Sequence, residues 1–222
     1  MRALETFARQ EGLRFSPKDS IGVIDPSLPL FQLGRTRDSA NVMWGSWQGL
    51  ALVAADYWYT ALATKHQPED RFGFSVVVVE LPGDVWLPTA TITHNSKLGA
   101  PFGCHPISFE SEGFNEMFDV YCRDREFAFR LIDARMMQWL MSTRGRYGFE
   151  VSGRKILVYA HRLSPAALVP IIGTAKSFHD HLPKLVRAEY ASWRRGNPPG
   201  AAQAAQPLSS PLPGGTTGSE PA

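Results

Sequence analysis

Apolar and polar positions repeat with two different periods along this chain, and the changes of period divide it into elements. Over Leu50 to Thr60, LALVAADYWYT, an extended strand puts Val53, Ala55, Tyr57 and Tyr59 on one side and Leu52, Ala54, Asp56, Trp58 and Thr60 on the other. Both sides are largely apolar. Asn41 to Trp47 precedes this run, and Gln48-Gly49 between them has the length and composition of a hairpin loop. Phe72 to Leu81, FGFSVVVVEL, is rich in β-branched residues and predicts a central strand. Strands over 41–47, 50–60 and 72–81 make an antiparallel meander, with the polar stretch Ala61 to Arg71 as a connector. Pro82-Gly83-Asp84 ends the meander, Thr89 to Thr93 predicts a short further strand, and Asn95 to Pro106 is a loop by its Gly and Pro content.

The helical period appears in three places. Residues 2–11 carry Leu4, Phe7 and Ala8 on one side and stop at Gly12, which predicts a short helix docked on the domain; the same apolar side is the alternative seat for peripheral membrane contact. Leu13 and Phe15 begin a strand, and Pro26 and Pro29 keep Leu28 to Leu33 out of a central one. From Phe114 to Cys122 the apolar residues Phe114, Phe118 and Val120 fall at even positions, as in a half-buried strand. Asp124 then stands where an N-cap belongs, opening a helix to Met141 with Ala128, Phe129, Ile132, Met136, Trp139 and Leu140 on one arc. Tyr147 to Val151 and Lys155 to Ala160 flank Ser152-Gly153 as a second hairpin. Ser164-Pro165 opens the last helix, which carries Leu168, Ile171, Ile172, Ala175, Phe178 and Leu182 at helical spacing. Pro183 ends or kinks it, and a basic segment runs on to about Arg195.

Strands clustered early, without strict βαβ alternation, predict an α+β fold: a curved antiparallel sheet of about six or seven strands with two long helices packed on one face. Residues 1–195 read as a single α+β domain. Residues 196–222, rich in Pro, Gly, Ala and Ser with no hydrophobic period, read as a disordered tail.

Composition narrows the function classes. A net charge of +2 over 222 residues gives no strong field, and the nearest approach to a concentrated basic face, Lys184, Arg187, Arg194 and Arg195, is diluted by Glu189, which argues against a nucleic-acid role. Two cysteines, Cys104 and Cys122, are not a disulfide framework, and the N-terminal stretch lacks the continuous apolar core of a secretory signal. No run approaches the length of a membrane-spanning helix. A cytoplasmic location follows as the expectation.

The run ESEGFNEMFDVYCRDREFAFRLIDARMMQWL resembles a bacterial domain-of-unknown-function family, whose members carry the pattern seen here as Glu110-Ser111, Phe114-Asn115, Phe118, Val120, Asp124, Ala128, Leu131 and Met136. Asp56-Tyr57 with Tyr59-Thr60 is similar to that family's central strand. The resemblance spans about 41–185 and implies a fold and boundaries. It implies no activity.

Candidate chemistry is sparse. Glu110, Glu112 and Asp119 lie near one another in sequence, but two carboxylates on one side of a strand are a solvated face unless their environments separate their pKa values. His94, His105 and His161 come from separate loops and strand ends, and His179 and His181 point apart on a helix, so no metal site and no cofactor is predicted. Cys104-His105 could place a thiolate near a base, which makes a small hydrolase-like enzyme built on the 94–105 loop the competing reading. The aromatic residues Trp44, Trp47, Tyr57 and Tyr59 form the candidate ligand-binding wall, with core packing as their other reading. Arg135 joins them because it falls inside the apolar arc of its helix, where a charge must find a partner or a helix end reaching water. A non-enzymatic module that binds a protein or a ligand is the leading expectation.

Overall fold

The computed structural model describes residues 2–61, 70–81, 83, 85–94, 105–162 and 168–191. Eight strands form one antiparallel sheet in the order β1-β2-β3-β4-β8-β7-β5-β6. They are β1 (Arg14–Lys18), β2 (Thr36–Trp47), β3 (Leu50–Thr60), β4 (Arg71–Glu80), β5 (Leu87–His94), β6 (Phe118–Cys122), β7 (Gly148–Gly153) and β8 (Lys155–His161). The helices are α1 (Arg2–Gln10), α2 (Glu112–Met117), α3 (Arg125–Leu131), α4 (Ala134–Ser142), α5 (Leu168–His181) and α6 (Lys184–Tyr190). The α+β class is as the sequence predicts, and the sheet is larger than the six or seven strands expected.

The β2–β3 hairpin turns at Gln48-Gly49, where φ is +48° and +81°. Two positive values suit a two-residue hairpin turn, whose backbone twist matches that of the flanking strands. The second hairpin turns one residue later than expected. Ser152 pairs with Lys155, so Gly153 and Arg154 form the loop.

Two corrections concern the stretch from Ser111 to Ser142. The expected strand 114–122 is helix for its first part, because the Ser111 hydroxyl caps α2 by accepting the Phe114 N–H at 3.3 Å. The expected long helix 124–141 is two short ones. Asp124 caps α3 through the Phe127 N–H at 2.9 Å, and Asp133 caps α4 through the Met136 N–H at 2.8 Å. The break rotates the faces, leaving Phe129 44% exposed while Phe127 and Leu131 are buried. Of the two long helices expected, α5, with 14 residues, is the longer kind; α3 has 7 and α4 has 9.

One sheet face carries the helices. Leu52, Ala54, Val77, Val79, Ile92, Val120, Phe149, Val151, Ile156 and Val158 form its floor. Leu4 and Ala8 of α1, Phe127 of α3, Met136 and Leu140 of α4, Ile171, Ala175 and Phe178 of α5 and Val186 of α6 cover it. The N-terminal helix therefore docks on the sheet, its Leu4 and Ala8 buried. Each large core side chain removed from water contributes about 1.5–3 kcal/mol. Two helix–helix contacts lock the layer: Phe127 meets Tyr190 edge-on at 5.2 Å, and Arg130 pairs with Glu189.

The opposite face has no α-helix among the described residues. Its apolar half, Val42, Ala55, Tyr57, Tyr59, Phe74, Val76, Val78, Leu157 and Tyr159, is covered by Val23, Leu28, Leu30 and Phe31. These belong to a strap, residues 19–33, containing a 3-10 turn at Pro29–Gln32. The Asp19 carboxylate fixes one end, accepting from the N–H groups of Ile21, Gly22 and Val23 and from the Ser39 hydroxyl at 2.6–3.0 Å. Arg37 fixes the other by donating to the carbonyls of Gln32, Leu33 and Gly34 at 2.6–3.0 Å.

Candidate functional site

Strand alternation puts a row of polar side chains on the strap-bearing face, beyond the apolar half. Because Ala90, Ile92, Val120, Phe149 and Val151 point to the helices, their neighbours Thr89, Thr91, Thr93, Tyr121, Glu150 and Ser152 point the other way. The register places Thr91 beside Glu150 and beside Tyr121. Thr89 and Ser152 share a hydrogen bond of 2.8 Å.

Between this polar row and the strap runs a groove. One cavity of about 390 Å³ is lined by Ser27, Pro29, Gln32, Pro88, Thr89, Thr91, Tyr121, Cys122, Arg123 and Asp124. A second, of about 460 Å³, is lined by Asp25, Ser27, Glu80, Trp86, Leu87, Pro88, Thr89, Ser152, Gly153, Arg154 and Lys155. Ser27, Pro88 and Thr89 line both, so the two cavities adjoin along the strap. At the second cavity the charges neutralise one another: Lys155 pairs with Asp25, and Arg154 with Glu80 at 3.3 Å. The first cavity offers the uncharged hydrogen-bonding groups of Ser27, Gln32, Thr89, Thr91 and Tyr121, with Arg123 and Asp124 also in its wall.

Glu150 stands at the buried end of the floor. It is 2% exposed, and both of its carboxyl oxygens accept the Leu30 N–H, at 2.9 and 3.1 Å. Among the described residues no cation pairs with it. Removal from water pushes its pKa up to about 8, and the Leu30 N–H offsets this only in part. The phenols of Tyr57 and Tyr159 are held above their ordinary range, first by burial and then by neighbours that include Glu150. Tyr159 fits because its cross-strand neighbour is Gly148: a β-carbon there would lie 2.2–2.5 Å from the phenol ring and hydroxyl.

The residues singled out from the sequence lie elsewhere. Tyr57 and Tyr59 are buried beside the strap, and Trp44 packs against the same cluster. Trp47 is on the helical face and donates its indole N–H to Glu11 at 2.7 Å. Arg135 is exposed in the first turn of α4 and donates to the Asp180 carbonyl at 3.2 Å, at the C-terminal end of α5. Glu110 and Glu112 are exposed. Of the candidate loop chemistry, Cys104 lies outside the described residues, and the His94 ring sits 1.9–2.9 Å from where a Gly145 β-carbon would be. His179 bonds Asp180 at 3.0 Å, and His181 stacks on Trp139 at 5.0 Å. Among the described residues no three His, Cys, Asp or Glu side chains converge as metal ligands. None of their helices is long and apolar enough to cross a membrane.

No protein-family model matches the chain, and no curated protein matches it. In fold it is similar to the crystal structure of the mycobacterial trehalose monomycolate transport factor A, TtfA, with a TM-score of 0.59 and 15% sequence identity. The match covers 81% of this chain and 92% of that one. At that identity the likeness is one of fold.

Proposed function

We propose that this chain is a non-enzymatic binding module, residues 1–195 forming its domain, and that it takes a small ligand with hydrogen-bonding groups in the groove beside the strap. The observation that carries the reading is the pair of adjoining cavities, about 390 and 460 Å³, which share Thr89, with Thr91 and Tyr121 lining the first. Volumes of 300–1,000 Å³ with a few placed polar groups are those of small-molecule sites. The neutralised charges around the second cavity favour an uncharged ligand portion there.

The test is a screen of uncharged, hydroxyl- and amide-bearing fragments on the full chain, read by amide chemical shifts. Binders should shift the amides of Thr89, Thr91 and Tyr121, and Thr89→Arg, which fills the junction of the two cavities, should abolish the response. Shifts confined to the helical face, or unchanged by Thr89→Arg, would reject the groove.

A transport-associated role is the second reading, supported by the fold shared with a protein named as a transport factor. In that role too the module would act by binding.

A further inference from the structure

We infer that Glu150 is a proton-controlled latch on the strap, so that the middle of residues 19–33 stays closed over the sheet when the carboxyl is neutral and lifts when it is ionised. The inference rests on the groove reading for its functional consequence, because the strap forms one wall of that groove through Ser27, Pro29 and Gln32.

The geometry carries it. The strap is held at its ends by Asp19 and Arg37. Between them the sheet reaches it through Lys155 on Asp25, the Tyr57 hydroxyl on the Leu30 carbonyl at 3.4 Å, and Glu150, which among the described residues is the one sheet side chain on a strap N–H, at Leu30, 120 residues away in sequence. A carboxyl 2% exposed under that turn, with no cation paired to it among the described residues, is in a state open to the neutral acid and costly for the anion. The groups facing it are uncharged: the Leu30 amide from the strap, the phenol of Tyr57 from β3 and that of Tyr159 from β8. Thr91 from β5 and Leu157 from β8 flank it across the strands. Of the charged residues on this face, Lys155 pairs with Asp25, Arg154 with Glu80, and Arg37 with the carbonyls at the end of the strap, while Asp119 and Arg123 stand on or next to β6, two strands from Glu150. Lifting the strap hydrates the carboxylate, and the proton is released to solvent.

Linkage fixes the sign. With the strap closed the carboxyl titrates near 8, and once hydrated it returns towards 4.5. The closed form therefore holds a proton that the open form releases across that interval. Opening becomes about tenfold more favourable per pH unit within it and levels off above the upper value.

The test is hydrogen exchange of the full chain, corrected for the intrinsic pH dependence of the chemistry, at the amides of Leu28, Leu30, Phe31 and Leu33. Their protection should fall roughly a hundredfold from pH 5.5 to pH 7.5 and flatten above pH 8. It should be independent of pH in Glu150→Gln, which keeps an oxygen to accept the Leu30 N–H and cannot ionise. A flat wild-type profile overturns the latch, whether or not the variant folds. So does the same fall in Glu150→Gln, or strap amides that exchange no faster than Val77 and Val158 in the core, since opening would then be global. The measurement uses no ligand, so a flat profile leaves the groove standing, and a groove rejected by Thr89→Arg leaves the latch standing.

Discussion

The backbone N–H of Leu30 is shared by the two carboxyl oxygens of Glu150, 2.9 and 3.1 Å away, at a site that Glu150 enters with 2% of its surface exposed. This contact joins the strap to β7 and makes the fold sensitive to pH. The folded protein holds the Glu150 proton up to about pH 8, whereas an exposed glutamate loses it near 4.5. Stability is thus fully present below the lower value and declines as pH rises through the interval. Relative to wild type, Glu150→Gln should gain up to about 1.4 kcal/mol per pH unit there and nothing further above it. Urea denaturation at pH 5, 6, 7 and 8 measures this; two parallel stability curves would refute it.

Gly148 and Tyr159 pair across β7 and β8, and the phenol occupies the space of the missing β-carbon. Gly148→Ala should cost about 1–3 kcal/mol, the range for overpacking a filled site. In a Tyr159→Val background most of that cost should vanish. A double-mutant cycle with no coupling would show that the ring is not what excludes the methyl group.

Asp124 and Asp133 each cap a separate helix. Replacing either by Ala should cost about 0.5–2 kcal/mol. If Asp133→Ala were silent while Asp124→Ala was costly, α3 and α4 would be behaving as one continuous helix, and the break at Ile132 would be wrong.

Phe127 and Phe129 have opposite fates two residues apart, buried and 44% exposed. Phe127→Ala should cost about 3–5 kcal/mol. Phe129→Ser should lose much less, chiefly its edge contact with Phe109 at 5.1 Å. Equal losses in thermal denaturation would contradict this placement.

That pair also shows where the sequence was legible. β3 and β4 could be read directly, since β3 is largely apolar on both faces and ends in aromatic residues, while β4 carries two phenylalanines and a run of four valines. Phe114, Phe118 and Val120 were ambiguous, because 114 and 118 satisfy a helical spacing while 118 and 120 satisfy a strand. The deciding signals were local: Ser111 and Asp133 are both cap residues three positions before the amide they bind. Glu150 gave no such signal. In FEVSG it alternates with Phe149 and Val151 as a solvent-facing residue would, and it is buried because a strap 120 residues away crosses it. The groove was hidden for the same reason, its walls coming from residues 25–32, 86–91 and 121–124 and from the β7–β8 turn.

The short strand β1 also bears on how the molecule behaves in company. An open sheet ends in unpaired backbone groups that invite a second molecule to extend it. Here that end is five residues long, RFSPK, bounded by Arg14 and Lys18 and interrupted by Pro17, which has no N–H to offer. The ladder to β2 resumes only at Lys18, opposite Ala40, beyond the kink at Asn41, where φ is +52°. This edge, one of the two that the strand order leaves, is thereby poorly suited to templating a second molecule. Pro17→Val should remove that safeguard and show itself as concentration-dependent light scattering without any loss of folded signal.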